Sequence, residues 1–566
     1  MRYTGARILV EALIEQRVDT VFGFPGGAVL GIYDELYRRR DQIRHVLVSH
    51  EQHAAHAADG YARSSGKAGV CIATSGPGAT NLVTGIATAY MDSTPLVAIT
   101  GNVSTSLLGK DSFQEVDIAG ITMPVVKHNW IVKTVNELVE VIREAFAVAC
   151  SGRPGPVLID IPQDITAAWG EWPERPQSSS GGGAGRALRL AERTGRHTFS
   201  DEDLDRAAAM LAASERPLLY AGGGVVLSGA SEELRELAER LNAPVALSLM
   251  GIGALPSDHP LCVGLIGMHG TAAANKAAQK ADLLAAIGAR FSDRVTSSAG
   301  RFAKAAKVLH LDIDPAEINK NIRTEAWVLG DIKRILTGIL KKLPRRANAL
   351  WIGEIGQWRR HPERVPHPAL RPRFIIEETA GRLGPDAIVA TDVGQHQIWT
   401  AQFYPFRRPR SFLSPGGLGT MGFGLGAAEG AKIANPERPV ALFTGDGSFR
   451  MNSGELATVG GCGTALLIII FNNHVLGMVR QWQSLFYGER YAETSLDRPP
   501  DFVKLAGAYG LPGYRAEDEA SFLRALDAAM EAVSAGQTAL IDAVIGRDER
   551  ALPMVPRGAP LDEQIP

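Results

Sequence analysis

Short continuous apolar runs alternate with helical segments along most of this chain. Residues 4–17 read as an amphipathic helix, followed by a strand from Thr20 to Phe24 and a sharp turn at Phe24-Pro25-Gly26-Gly27. A helix over about 29–39, a strand from Ile43 to Ser49 and a helical segment at 52–64 come next. Strands at Ala68–Thr74, Pro95–Thr100 and Pro156–Ile161, a helix starting at Thr80-Asn81 and another over Thr134–Ala149 complete a first unit. Runs that are apolar throughout, rather than alternating, predict strands buried on both faces, and so parallel sheets covered by helices.

The alternation lapses twice. Residues 166–200 carry Pro, Ser and the run SSSGGGAGRA, which predicts a linker. A helix at 201–213, a strand at Pro217–Ala221 ending on Gly222-Gly223-Gly224, a helix at 231–242 and strands at Pro244–Leu249, Leu283–Ile287 and Val308–Asp312 form a second unit. An Arg- and Pro-rich stretch near 343–370 predicts the second linker. The expected organisation is therefore α/β with three domains, at 1–165, 201–342 and 371–566, each a mainly parallel sheet flanked by helices. A length of 566 residues, too great for one core, agrees with that.

Composition narrows the class only a little. A charged fraction of 21%, an apolar fraction of 45% and a net charge of −2 give no field for nucleic acid or an anionic membrane. No apolar run reaches a membrane span, and the acid-bearing N-terminus is neither a signal nor an obvious transit peptide. Cys71, Cys150, Cys262 and Cys462 form no CxxC pair, so reduced, buried thiols in a cytoplasmic protein are expected.

The chemistry concentrates at GDGSFRMNSGELATVGGCGTALLIIIFNN, residues 445–473. A strand at Pro439–Thr444 leads into Gly445-Asp446-Gly447, and a second at Thr464–Phe471 stops at Asn472-Asn473. Ser448 and Asn452 are candidate helix caps, with helix expected over 453–460. Two parallel strands thus bring Asp446 and Asn473 to the carboxyl edge of one sheet, where open α/β sheets bind ligands. A carboxylate and an amide oxygen suit Mg²⁺, and the glycines allow close approach to a diphosphate.

This stretch resembles the thiamine-diphosphate motif of the ThDP-dependent enzyme superfamily. The resemblance implies Mg²⁺ held by Asp446, Asn473 and the carbonyl of Val475. The segment HEQHAAHAADGYARSSGKAGVCIATSGPGATN resembles the superfamily's pyrimidine-binding domain. It implies that Glu51 shares a proton with the aminopyrimidine ring. Alone, Glu51 reads as a cap or a surface charge. Val393, Gly394, Gln395 and His396, with Gly445, Gly447, Ser448, Leu476, Gly477 and Met478, are implied on the diphosphate side. Gly419 and Met421 are implied beneath the aminopyrimidine; Met421 alone reads as a core methionine.

The central segments narrow the resemblance to the acetohydroxyacid synthase (acetolactate synthase) family. Gly267, Met268, His269, Gly270 and Thr271, then Gly288, Arg290, Asp293 and Arg294, then Asp312 and Asp331 resemble its FAD-binding domain, joined by Arg153 and Gly222-Gly223-Gly224. LGMVRQWQSLFYGERY (476–491) resembles its specificity segment, which implies that Trp482 packs on the substrate alkyl group. Arg294 is implied to grip the acceptor carboxylate and Gln114 to lie near the bound intermediate. Gln163, Ser292 and Arg557 depart from the family pattern. The resemblance implies decarboxylation of pyruvate and carboligation to a second pyruvate or 2-ketobutyrate, the first common step toward valine, leucine and isoleucine. It also implies a homodimer or dimer of dimers, with a small regulatory subunit left open. A redox flavoenzyme of the pyruvate oxidase kind is the rival on the same fold; a catalytically silent binding partner is the non-enzyme rival.

Overall fold

The computed structural model describes residues 1–172, 199–359, 369–498 and 500–566. Three six-stranded parallel sheets follow one another along the chain. The first runs, in spatial order, Arg44–Leu47, Thr20–Gly23, Gly69–Ala73, Leu96–Asn102, Pro156–Pro162 and His128–Ile131. The central sheet is Cys262–Leu265, Val245–Leu247, Pro217–Ala221, Leu283–Ile287, Lys307–Asp312 and Ala326–Leu329. The third is Phe412–Leu413, Ile388–Thr391, Val440–Gly445, Leu467–Asn472, Ala539–Val544 and Gly513–Ala516. Its two middle strands are those that carry Asp446 and Asn473. Every residue of Leu467–Asn472 is buried, as a strand covered on both faces requires.

The three-domain α/β expectation holds, with corrections at the edges. Residues 166–172 are not linker: Trp169–Glu171 is a strand pairing antiparallel with Arg2–Thr4. Residues 173–198 of that predicted linker lie outside the described residues. The stretch expected as the second linker contains the helix Ala349–Trp358, whose Trp351 is buried and donates its indole N–H to the Pro217 carbonyl at 3.0 Å. Only Cys71 and Cys262 are buried; Cys150 is exposed and Cys462 half-buried. Among the described residues, no helix is long and apolar enough to cross a membrane.

The first and third domains meet along the helices Glu51–Ser65 and Gly424–Ala434. The crossing is made of small residues. A Cβ on Gly430 would overlap the Ala57 carbonyl, and one on Gly60 would overlap Ala427. Buried within it, His53 Nε2 lies 2.6 Å from Glu429 Oε2.

Candidate active site

At the third sheet's edge, the helix Asp446–Phe449 begins as the strand Val440–Gly445 ends. Asp446 is 2% exposed, and its Oδ2 is buried with no hydrogen-bond partner. Burial pushes its carboxyl up to about 7. Asn473, one residue past the neighbouring strand, donates from Nδ2 to Gln395 Oε1 at 3.4 Å, and its Oδ1 accepts the Val475 N–H at 3.2 Å. Asn472 is engaged elsewhere, its Nδ2 donating to Asp542 Oδ1 at 2.9 Å.

Around these groups the backbone is bare. A side chain on Gly477 would run into the amides of Gln395 and Asn473. A Cβ on Gly445 would stand 3.0 Å from His396 Nδ1, and one on Gly447 would meet Leu476 at 2.7 Å and Met421 Cε at 3.8 Å. His396 is buried, its Nε2 has no partner, and burial pushes its imidazole down to about 3, so it is neutral. The Val393 carbonyl accepts the Ser448 hydroxyl at 3.2 Å. Ser448 is therefore inside the short helix rather than its cap. Asn452, at the start of a 3₁₀ turn, makes no side-chain cap bond and donates to the Gly422 carbonyl at 2.7 Å.

The second group gathers at the first sheet. Glu51 opens its helix just past the strand Arg44–Leu47, and its Oε2 accepts the Asn81 Nδ2–H at 2.9 Å. Gly78, whose added Cβ would lie 3.1 Å from Glu51 Oε1, keeps this corner open. Gly76, at φ 60 and ψ −120, adopts a backbone that side-chain-bearing residues avoid. Its hypothetical Cβ would stand 2.9 Å from the Gln114 carbonyl oxygen, so Gln114 lies over the same turn. Glu51 and Asn81 are in contact, and Gln114 lies against the same glycine turn.

A third group lies where the first and central domains meet and within the central domain. Arg153 lies 3.2 Å from both Asp314 and Glu317. With Tyr90 and Lys127 it lines a cavity of ≈ 340 Å³ where the first and central domains meet. Burial pushes the Lys127 ammonium down to about 8. Arg290 donates to the Met91 carbonyl at 2.9 Å, and Asp312 accepts the Asp314 N–H. Gly222, Gly224 and Gly288 pack backbone on backbone, which gives these glycines a steric reason of their own. Gly223 lies against Met250. Thr271 and Asp331 cap the helices Ala272–Lys280 and Ile332–Lys342.

Arg294 is 65% exposed, with Asp293 beside it at 3.9 Å and Met268 Sδ at 3.7 Å. Trp482 is half-buried rather than a core residue and stacks edge-on with Phe486. The C-terminal segment ties these pieces together: Val555 N–H donates to the Met268 carbonyl at 2.7 Å, and His269 Nδ1 lies 3.2 Å from the Pro553 carbonyl. Ser292 stands at the N-terminal cap of the helix Asp293–Thr296, and its carbonyl accepts the Thr296 hydroxyl. Gln163 reaches the Gly27 carbonyl at 3.5 Å. Nothing in the structure explains Arg557, which is exposed.

Sequence reasoning missed three residues that hold the site. Asn81 binds Glu51; its position at the end of the SGPGATN turn was the available signal. Asp392 is buried and accepts both the Gly424 N–H at 2.9 Å and the Thr444 hydroxyl at 2.6 Å, joining the third sheet to the helix that meets the first domain. Gln481, beside Trp482, is buried and bonded to Gln395; nothing local in the sequence distinguishes it.

Three parallel sheets in a row, the third carrying a buried carboxylate with one unpartnered oxygen beside side-chain-free backbone, fit the class of thiamine pyrophosphate enzymes. Three family models match in order: the thiamine pyrophosphate enzyme N-terminal TPP binding domain at residues 3–121, the central domain at 204–339 and the C-terminal TPP binding domain at 392–543. The chain is 46% identical to the probable acetolactate synthase large subunit of Methanocaldococcus jannaschii, over 98% of this chain and 94% of that one. It is also 46% identical to an acetolactate synthase of Arthrospira platensis, over 98% and 96%. The acetolactate synthase large subunit of Corynebacterium glutamicum is 44% identical over 99% and 89%. The chain belongs to the acetolactate synthase family.

Proposed function

We propose that this chain catalyses acetolactate synthesis. It decarboxylates pyruvate and joins the remaining two-carbon unit to a second pyruvate or to 2-ketobutyrate, the first common step of branched-chain amino-acid biosynthesis. The observation that carries the reading is the buried, unpartnered Asp446 oxygen beside Asn473 and the bare backbone of Gly445, Gly447 and Gly477. Such a carboxylate is costly unless a cation or a proton satisfies it.

Mg²⁺ fits this donor set. One carboxylate, one amide oxygen and the Val475 carbonyl leave room for phosphate oxygens and water. Among the described residues, no group of three or more His, Cys, Asp or Glu side chains is placed to hold a metal. Bound thiamine diphosphate supplies the carbon nucleophile and the electron sink for the decarboxylation. The protein's share is to bind, orient and move protons. The helix start at Gly394–Gln395, neutral His396 and the bare backbone receive the diphosphate. Glu51, held by Asn81, exchanges a proton with the aminopyrimidine, and Met421 supports that ring. The exposed Arg294 guanidinium has the fork geometry to hold an acceptor carboxylate. Trp482, half-exposed, offers a flat apolar wall to the acceptor's alkyl group.

FAD is proposed at the central domain, on the resemblance of residues 267–271 and 288–294; Lys127, Arg153 and Asp314 line a cavity at that domain's edge. The flavin serves without net redox change. A homodimer is supported by large apolar side chains exposed on the first domain, Phe113 at 88% and Met123 at 67% among them. The relatives' designation as large subunits supports a small partner subunit, and a cytoplasmic location fits such an enzyme.

The test is product analysis with pyruvate, with and without 2-ketobutyrate, in the presence of thiamine diphosphate, Mg²⁺ and FAD. Acetolactate, and 2-aceto-2-hydroxybutyrate with the second acceptor, are expected while the flavin stays oxidised. Oxygen uptake with acetate release and no acetohydroxy acid would favour the pyruvate oxidase reading.

A further inference from the structure

A buried chain of side-chain amides runs from the Asp446 edge to the C-terminal segment. Asn473 Nδ2 donates to Gln395 Oε1 at 3.4 Å. Gln395 Nε2 donates to Gln481 Oε1 at 2.9 Å and to the Glu549 carbonyl at 2.6 Å. Gln481 Oε1 also accepts the Ala551 N–H at 2.9 Å, while Gln481 Nε2 donates to the Ala551 carbonyl at 3.2 Å and meets Met554 Sδ at 3.7 Å. Gln395 and Gln481 are 4% and 3% exposed, so water does not substitute for these partners.

Each amide could in principle be turned end for end, and only the network decides which way it points. Here the main chain decides. The Ala551 N–H can only donate and the Glu549 carbonyl can only accept. The first forces the Gln481 oxygen toward the tail, where it also takes a Gln395 N–H. Both forced choices put the Gln395 NH₂ group toward the tail and its oxygen toward Asn473. That agrees with the Asn473 amide, whose NH₂ group faces Gln395 while its Oδ1 accepts the Val475 N–H at 3.2 Å and keeps a second lone pair. Reversing any one amide would set donor against donor within a dry site.

We propose that Gln481 is a positioning residue. It transmits the polarity of the C-terminal backbone at Glu549–Ala551 through Gln395 to Asn473, so that docking of this segment and binding at the Asp446 edge favour each other. The inference rests on the thiamine-diphosphate reading of that edge. Coupling of this kind is reciprocal: whatever the docked segment adds to cofactor affinity, the cofactor adds to docking.

Hydrogen exchange and calorimetry on the full-length protein test it, with thiamine diphosphate plus Mg²⁺ as the probe. In the wild type, the probe should slow exchange of the Ala551 amide. Gln481→Leu should weaken binding of the probe by about 10–100-fold, the range for partners that orient a metal ligand. In that variant the probe should no longer change Ala551 exchange. Wild-type exchange at Ala551 that ignores the probe overturns the inference without recourse to any variant. So does a Gln481→Leu protein that binds the probe normally, or one that binds it weakly yet still shows the slowed amide. A wild type that binds no probe at all overturns the functional reading, and the inference with it.

Discussion

Glu51 and Asp446 are both buried carboxylates at the carboxyl ends of parallel sheets, and each opens a helix. Their surroundings differ. Glu51 keeps an amide partner, Asn81, and faces a corner left open by Gly78. Asp446 has one oxygen with no partner, and its proton is held to about pH 7 by burial. A carboxylate that is hydrogen-bonded and kept accessible can exchange a proton repeatedly. One that keeps a buried oxygen without a partner is, on the function proposed above, the one a cation completes. On that proposed function, the two halves of the site differ in what satisfies the acid.

The sharpest way to break this comparison is Glu51→Gln. Turnover should fall by roughly 10²–10⁴-fold, because an amide cannot exchange the proton. Binding of thiamine diphosphate with Mg²⁺ should persist in calorimetry. Loss of binding instead of turnover would reverse the two roles. Asp446→Asn should do the opposite. The half-saturating Mg²⁺ and cofactor concentrations should rise by one to two orders of magnitude, since one of few hard oxygen ligands loses its charge. Much of the rate should return at saturation, as a titration of activity against each would show.

The next test is pH. The folded carboxyl of Asp446 titrates at about 7, above its ordinary value. In the cation-free protein it therefore contributes stability that is present at low pH and lost as pH rises through about 7. Mg²⁺ must displace that proton. Calorimetry in buffers of different ionisation enthalpy should show proton release on binding at pH 6 and little at pH 8. Asp446→Asn should abolish the difference. The smallest effect is expected from Asn81→Ala. It removes one hydrogen bond to Glu51, so turnover should fall by about ten-fold, the effect of roughly 1.5 kcal/mol. Cofactor affinity should be unchanged.

The strands and the Asp446–Asn473 pair were legible because they are written as unbroken apolar runs ending in polar residues. Other features leave no such pattern. Asn472 and Asn473 are neighbours in sequence, but the alternation of a strand sends one to Asp542 and the other to Gln395. The helix Ala349–Trp358 was hidden by two internal glycines and flanking basic residues. Ser448 and Asn452 have the right side chains for caps. The backbone turns into a helix at Gly445, three residues before the first of them. The segment after Glu549 has no periodicity, and main-chain bonds to Met268 and Gln481 hold it in place. Such bonds depend on no particular side chain of the segment itself.

The crossing of Glu51–Ser65 over Gly424–Ala434 has a consequence for evolution as well as for mechanics. Glu51 stands at one end of a rod whose middle is wedged, backbone to backbone, against another domain. Its alanines and glycine are spacers that set how far the acid stands from the third sheet of its own chain. Even one added methyl group at Gly60 or Gly430 would push the rod away and carry Glu51 with it. On the proposed role of Glu51, selection for proton transfer would reach residues that do not touch the acid, as a demand for smallness.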